Sequence, residues 1–93
     1  MAATVVHDPG ESRYEIQVDG VRAGFAHYRS TPDALVFDHT EVDDAYEGQG
    51  LGSQLAREAL DDVRATGGKV VAECPFIKGW IEQHAGYQDL LLG

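Results

Sequence analysis

The hydrophobic period of this chain changes once, and abruptly. Up to Val42 apolar and polar residues alternate in short runs; from Gly50 onward Leu51, Leu55, Ala59 and Val63 recur every four residues, with Ala56 and Leu60 widening the stripe. A period of two belongs to half-buried strands, and a period near 3.6 belongs to a helix with one buried face. The chain is therefore expected to build a small sheet first and to lay a helix on it, an α+β arrangement. Its 93 residues suit one domain spanning residues 1–93 and exclude a two-domain enzyme. Folding at this size buries roughly 60 to 65% of the extended chain's surface, enough for one layer of helices on one sheet without metal or disulfide support. Any active site is then shallow, or borrowed from a partner.

Within the first half, Tyr14-Glu15-Ile16-Gln17-Val18 and the looser run Ala23 to Tyr28 flank Asp19-Gly20, a two-residue hairpin signal. Ser30-Thr31-Pro32-Asp33 makes the next turn, and Ala34 to Val42 follows as a strand. Strict alternation puts Leu35, Phe37, His39 and Glu41 on one of its faces and Val36, Asp38, Thr40 and Val42 on the other. With Thr4 to His7 as an edge strand, the half reads as an antiparallel meander of three to four strands. After the amphipathic helix, Thr66-Gly67-Gly68 supplies a stop. Lys69 to Ala72 reads as a short buried strand, and Pro75 opens a second helix carrying Phe76, Ile77, Trp80 and Ile81. Tyr87 to Leu92 is expected to pack back as a final strand or turn.

Charge narrows the partners. Lys and Arg number 7 against 16 Asp and Glu, a net charge of −9, so nucleic acid, which needs clustered cations, is excluded as a partner. Residues 1–46 hold three basic and nine acidic side chains, residues 47–93 four and seven; an anionic ligand belongs to the second half. Cys74 is the single cysteine, which rules out an intrachain disulfide and points to a reducing, cytoplasmic setting. No signal peptide is legible, and no apolar run approaches the roughly 18 residues of a membrane span.

The junction between the two periods is Glu47-Gly48-Gln49-Gly50-Leu51-Gly52-Ser53. Glycine lets the backbone turn tightly there and lets a ligand approach the amides without meeting a Cβ. The first-turn N–H groups of the helix have no intrahelical acceptor and form a natural cradle for phosphate. Each hydrogen bond to a charged oxygen contributes roughly 1.5 to 3 kcal/mol, so three or four hold a diphosphate against a net charge screened beyond about 10 Å. A Walker loop does not fit, for want of a lysine, and GxGxxG fails from either Gly48 or Gly50. The competing interpretation is a flexible loop followed by a helix cap.

With these residues in view, the chain resembles the GNAT N-acetyltransferase superfamily. The motif [Q/R]xxGx[G/A] lies on Glu47 to Gly52, with Glu47 standing where the family has Arg or Gln. His39-Thr40-Glu41-Val42 before the loop, and Cys74-Pro75-Phe76 followed by Trp80, Ile81, His84, Tyr87 and Asp89-Leu90, resemble its compact single-domain branch. The resemblance implies a GNAT-like core without the N-terminal helices that hold substrates in larger relatives. It implies acetyl-CoA as cosubstrate, with Gln49, Gly50, Leu51, Gly52 and Ser53 around the diphosphate and the pantetheine arm bonded to the Val42 backbone. That arm would lie where the strand ending at Val42 splays from Val70 to Ala72. The implied reaction is attack of an amine on the acetyl thioester. The acceptor is a small molecule or a protein lysine, and the acidic surface suits a cationic one. The protein is expected to act as a monomer or weak dimer.

Three side chains are candidates for the chemistry. Cys74 precedes Pro75 at a helix start, where the dipole favours thiolate by roughly 0.3 to 1 kcal/mol while Glu73 opposes it. It either takes the acetyl group and passes it on, lies beside the thioester, or is a small buried hydrophobe. His39 and Glu41, two apart on one strand, either accept the amine proton or pack beneath a helix with Leu35 and Phe37. A metal on His39 and Glu41 lacks a third ligand, and no metal is expected. Asp43-Asp44 reads as a solvated turn, His7, His27 and His84 as structural, and Trp80 as core. Two alternatives stand beside the enzyme: a CoA-binding module with little or no turnover, and a thiol redox sensor built on Cys74.

Overall fold

A computed structural model describes residues 2–46 and 48–92. Ala3–Asp8 (β1), Arg13–Val18 (β2), Val21–Ser30 (β3) and Leu35–Val42 (β4) form an antiparallel meander, and Val70–Ala72 (β5) adds to β4 in parallel. The sheet order is β1-β2-β3-β4-β5. Leu51–Ala65 (α1) and Pro75–Glu82 (α2) are α-helices; Asp44–Tyr46 and Ala85–Leu90 are 3-10 turns. The expected α+β class is what the chain forms, the meander of three to four strands has four, and from Arg13 to Val42 the chain runs in strands and turns alone.

Local chemistry explains most of the boundaries. Asp19 (φ 51°) and Gly20 (φ 84°) both take the left-handed region that the β2–β3 hairpin needs. The α1 stripe buries Leu51, Leu55, Ala56, Ala59, Leu60 and Val63. The helix stops in a Schellman motif: Gly67 (φ 77°) donates to the Arg64 carbonyl at 3.0 Å and Gly68 to that of Val63 at 3.0 Å. Both helices share one core with Tyr14, Ile16, Val18, Ala26, Tyr28 and Phe37 of the sheet, and α2 adds Cys74 at its cap with Ile77, Trp80 and Ile81. Arg13, Glu15, Phe25, His27, His39 and Glu41 stay out of that core and mark the open face of the sheet.

One strand departs from strict alternation. Tyr28 pairs with Phe37 but His27 pairs with His39, so Asp38 is an extra residue, a β-bulge on β4. The bulge moves Thr40 and Val42 onto the helix-covered face with Phe37 and turns His39 and Glu41 to the open face. The grouping of Phe37 with His39 and Glu41, expected from the sequence, is thereby corrected, and those two do not pack beneath a helix. The carboxylate of Asp38 holds the bulge, 2.7 Å from His27 Nδ1 and 3.5 Å from Arg29. The last segment packs back as a 3-10 turn, after which Leu91 bridges to Val70 and Leu92 N donates to Val70 O at 3.0 Å.

Candidate functional site

The site begins where the parallel ladder stops. β4 and β5 pair at Leu35–Val70, Val36–Val71 and Phe37–Ala72. The Phe37 carbonyl then accepts from both Glu73 N (3.0 Å) and Cys74 N (2.9 Å), and β5 turns away. β4 continues five residues further, to Val42. Asp43 N donates to Ala23 O on the β3 side at 2.7 Å. Because successive peptide groups of a strand point to opposite sides, those of Thr40 and Val42 face the side β5 has vacated. This open edge borders a hollow of about 240 Å³ lined by Thr40, Val42, Asp44 and Phe76.

The glycine loop supplies the second component. Gly48 (φ 81°) and Gly50 (φ 74°) are left-handed, and Gly50 is the N-cap of α1 without any side-chain capping bond. Gln54 N donates to Gly50 O at 3.1 Å, whereas the amides of Leu51, Gly52 and Ser53 meet no acceptor among the described residues. A Ser or Asp cap would have satisfied one of them; glycine leaves all three for a ligand. Gly48, Gln49 and Gly50 are exposed, and a Cβ added at Gly48 or Gly50 would meet nothing within 4 Å. Glu47, which departs from the motif, lies outside the described residues.

α2 closes the space between these components. The Trp80 indole N–H donates to Ser53 Oγ at 2.9 Å, fastening α2 to the first turn of α1. Trp80 itself is buried, as expected, and stacks on His84. A Cβ at Gly52 would stand 2.9 Å from Phe76 Cζ, so the ring lies directly on that turn. Among the described residues, amide donors without acceptors at one end, a strand edge without a partner at the other and an apolar ring between them match the chemistry of a diphosphate-bearing chain with amide and methylene groups.

The remaining candidates divide between the two faces of β4. Cys74, the N-cap of α2, is 4% exposed, and its Sγ is 3.4 Å from Thr40 Oγ1. His39 Nε2 and Glu41 Oε1 are 3.3 Å apart on the open face, 58% and 62% exposed. Glu41, Val42 and Asp44 also line a hollow of about 520 Å³ with Arg22 and Phe25. Val42 and Asp44 belong to both hollows, so the two meet at the end of β4. Thr40 and Phe76 line the hollow although the sequence offered neither as a binding residue: the bulge hid the face of the first, and the place of the second is set by how α2 docks on α1. His7, His27 and His84 each hydrogen-bond within the fold, to the Tyr28 hydroxyl, Asp38 and the Trp80 carbonyl. Among the described residues no three His, Cys, Asp or Glu side chains group as metal ligands, and no helix is long and apolar enough to cross a membrane.

Residues 13–90 match the family model of GCN5-related N-acetyl-transferases. The chain belongs to this family. Among relatives, the Protein NATD1 of Mus musculus is 29% identical over 82 residues, 86% of this chain and 74% of that protein, and the Gallus gallus Protein NATD1 aligns equally. The solution structure of a GCN5-like protein from Staphylococcus aureus superposes with a TM-score of 0.73 at 28% identity, covering 97% of this chain and 88% of the other. A ribosomal-protein-alanine N-acetyltransferase from Brucella melitensis shares the fold alone, with a TM-score of 0.62 at 20% identity over 87% of this chain and 61% of its own. This GCN5-related domain thus carries the mixed five-stranded sheet of its solved neighbours.

Proposed function

We propose that this GCN5-related domain, acting as one unit over residues 1–93, is an acetyl-CoA-dependent N-acyltransferase that transfers an acetyl group to an amine. The acceptor is a small molecule or a protein lysine. The observation that carries the reading is the set of amides on Leu51, Gly52 and Ser53 that meet no acceptor among the described residues, behind a left-handed, uncapped Gly50. These amides, with Gln49 and Gly50, hold the diphosphate at the positive end of α1. The outward peptide groups of Val42 bond the amides of the pantetheine arm along the strand edge.

Bound there, acetyl-CoA supplies an activated thioester carbonyl. The acceptor nitrogen approaches from the open face through the hollow bordered by Arg22 and Asp44. As the C–N bond forms and the C–S bond breaks, Glu41 or His39 takes the amine proton, and the departing sulfur leaves as the CoA thiolate. Such a base contributes roughly 10²- to 10⁴-fold. Cys74, on the other side of β4, either lies beside the thioester or takes the acetyl group first and passes it to the amine. A monomer or weak dimer in the cytoplasm, with a cationic acceptor, is consistent with the net charge of −9.

One observation favours a second reading, a CoA-binding module with little turnover: the base candidates and Cys74 lie on opposite faces of one strand. Acetyl transfer to a panel of amines, followed together with intact mass after mixing protein and acetyl-CoA, separates the two. The enzyme acetylates an acceptor, and a one-acetyl adduct absent from Cys74→Ala marks the route through the thiol. Binding of acetyl-CoA without transfer to any amine rejects the enzyme reading.

A further inference from the structure

We infer that Phe76 is the residue that positions the pantetheine arm, and that residue 52 is glycine so that the Phe76 ring can stay in place. The inference rests on the acyl-CoA reading above and adds a named wall to its channel. The buried stripe of α2 is Ile77, Trp80 and Ile81. Phe76 stands off that stripe and is 42% exposed, so its ring is not committed to the core and keeps a free face toward the hollow. Its ring faces Thr40 and Val42 across the hollow at the end of β4. On its other side, Cζ and Cε1 would stand 2.9 and 3.4 Å from a Cβ at Gly52, the middle of the three free amides. A ligand that joins the amide cradle to the open strand edge therefore runs past this ring. The ring is apolar and offers nothing to phosphate, but it suits the methylene and methyl groups of the arm.

This separates the two parts of the ligand. Phosphate binding depends on backbone amides, which no side-chain change at position 76 removes; binding of the arm depends on the ring. Gly52→Ala pushes the ring toward β4, since Cζ is the movable end of the side chain, and narrows the hollow without touching Phe76 itself.

The test is calorimetric titration of the intact chain with acetyl-CoA and, separately, with 3′-phospho-ADP, which carries the same phosphates and lacks the arm. For Phe76→Ala the inference predicts acetyl-CoA binding weakened about tenfold and 3′-phospho-ADP binding changed by less than about twofold. Phe76→Leu, which keeps more bulk, falls between. Gly52→Ala weakens acetyl-CoA, and Gly52→Ala with Phe76→Leu recovers part of that loss because the shorter side chain clears the new methyl. Equal losses for both ligands, or an unchanged acetyl-CoA affinity in Phe76→Ala, overturn the positioning role while leaving the acyl-CoA reading intact. Wild-type protein that binds neither ligand overturns both.

Discussion

Tyr14 shows how much of this small fold hangs on single polar contacts. It is 2% exposed, stacks on His7, and donates its hydroxyl proton to Asp62 of α1 at 2.7 Å. Burial first, then the hydrogen bond and charge of Asp62, hold its phenol well above the ordinary value of 10.0. The folded state thus keeps a proton that the unfolded chain releases near pH 10, so this stabilisation is full below that pH and declines as pH rises above it. Tyr14→Phe should lose about 1 kcal/mol near neutrality and show a shallower alkaline decline than wild type, read from urea unfolding between pH 7 and 11; parallel curves would refute the assignment. For the chemistry, Glu41→Gln should lower kcat by about 10²-fold at unchanged acetyl-CoA affinity if Glu41 is the base. If His39→Ala shows that loss and Glu41→Gln does not, the base is His39.

At the scale of elements, the first turn of α1 is bound by Gly50. An alanine in its left-handed conformation costs about 1 kcal/mol, and asparagine costs less. Gly50→Ala should lower the urea midpoint accordingly, with Gly50→Asn between it and wild type; equal midpoints would mean that the loop relaxes out of the left-handed region. Elements defined by local chemistry were legible from residues alone: the Asp19-Gly20 hairpin, the Leu51-Leu55-Ala59-Val63 stripe, the Gly67-Gly68 stop and the Pro75 helix start. The face of β4 was not. Its bulge at Asp38 arises from pairing with β3, and side-chain period alone carries no trace of which partner residue is skipped. The place of the Phe76 ring was hidden for a similar reason, because it follows from how α2 docks on Gly52, a contact between residues far apart in sequence. The final segment, expected as a strand or turn, is a 3-10 turn at Ala85–Leu90 that buries Leu90 in the core.

For the whole molecule, the division of labour follows from the layering. Both helices cover one face of the sheet and leave the other open, so the hollow beside the strand edge and the hollow on the open face meet only where β4 outruns β5; the proposed function uses the first for the cofactor and the second for the acceptor. The left-handed glycine junction and the place of Cys74 at a helix start were readable in the sequence because both follow from local backbone chemistry. Their separation from His39 and Glu41 became visible only with the sheet assembled. In the proposed function, the amides at the start of α1 that meet no acceptor among the described residues grip a diphosphate. Titrating acetyl-CoA into ¹⁵N-labelled protein tests it directly. Saturable shifts at Leu51, Gly52 and Ser53, with Val42 moving in the same titration, are expected; no change at those amides at millimolar ligand would rule the diphosphate grip out.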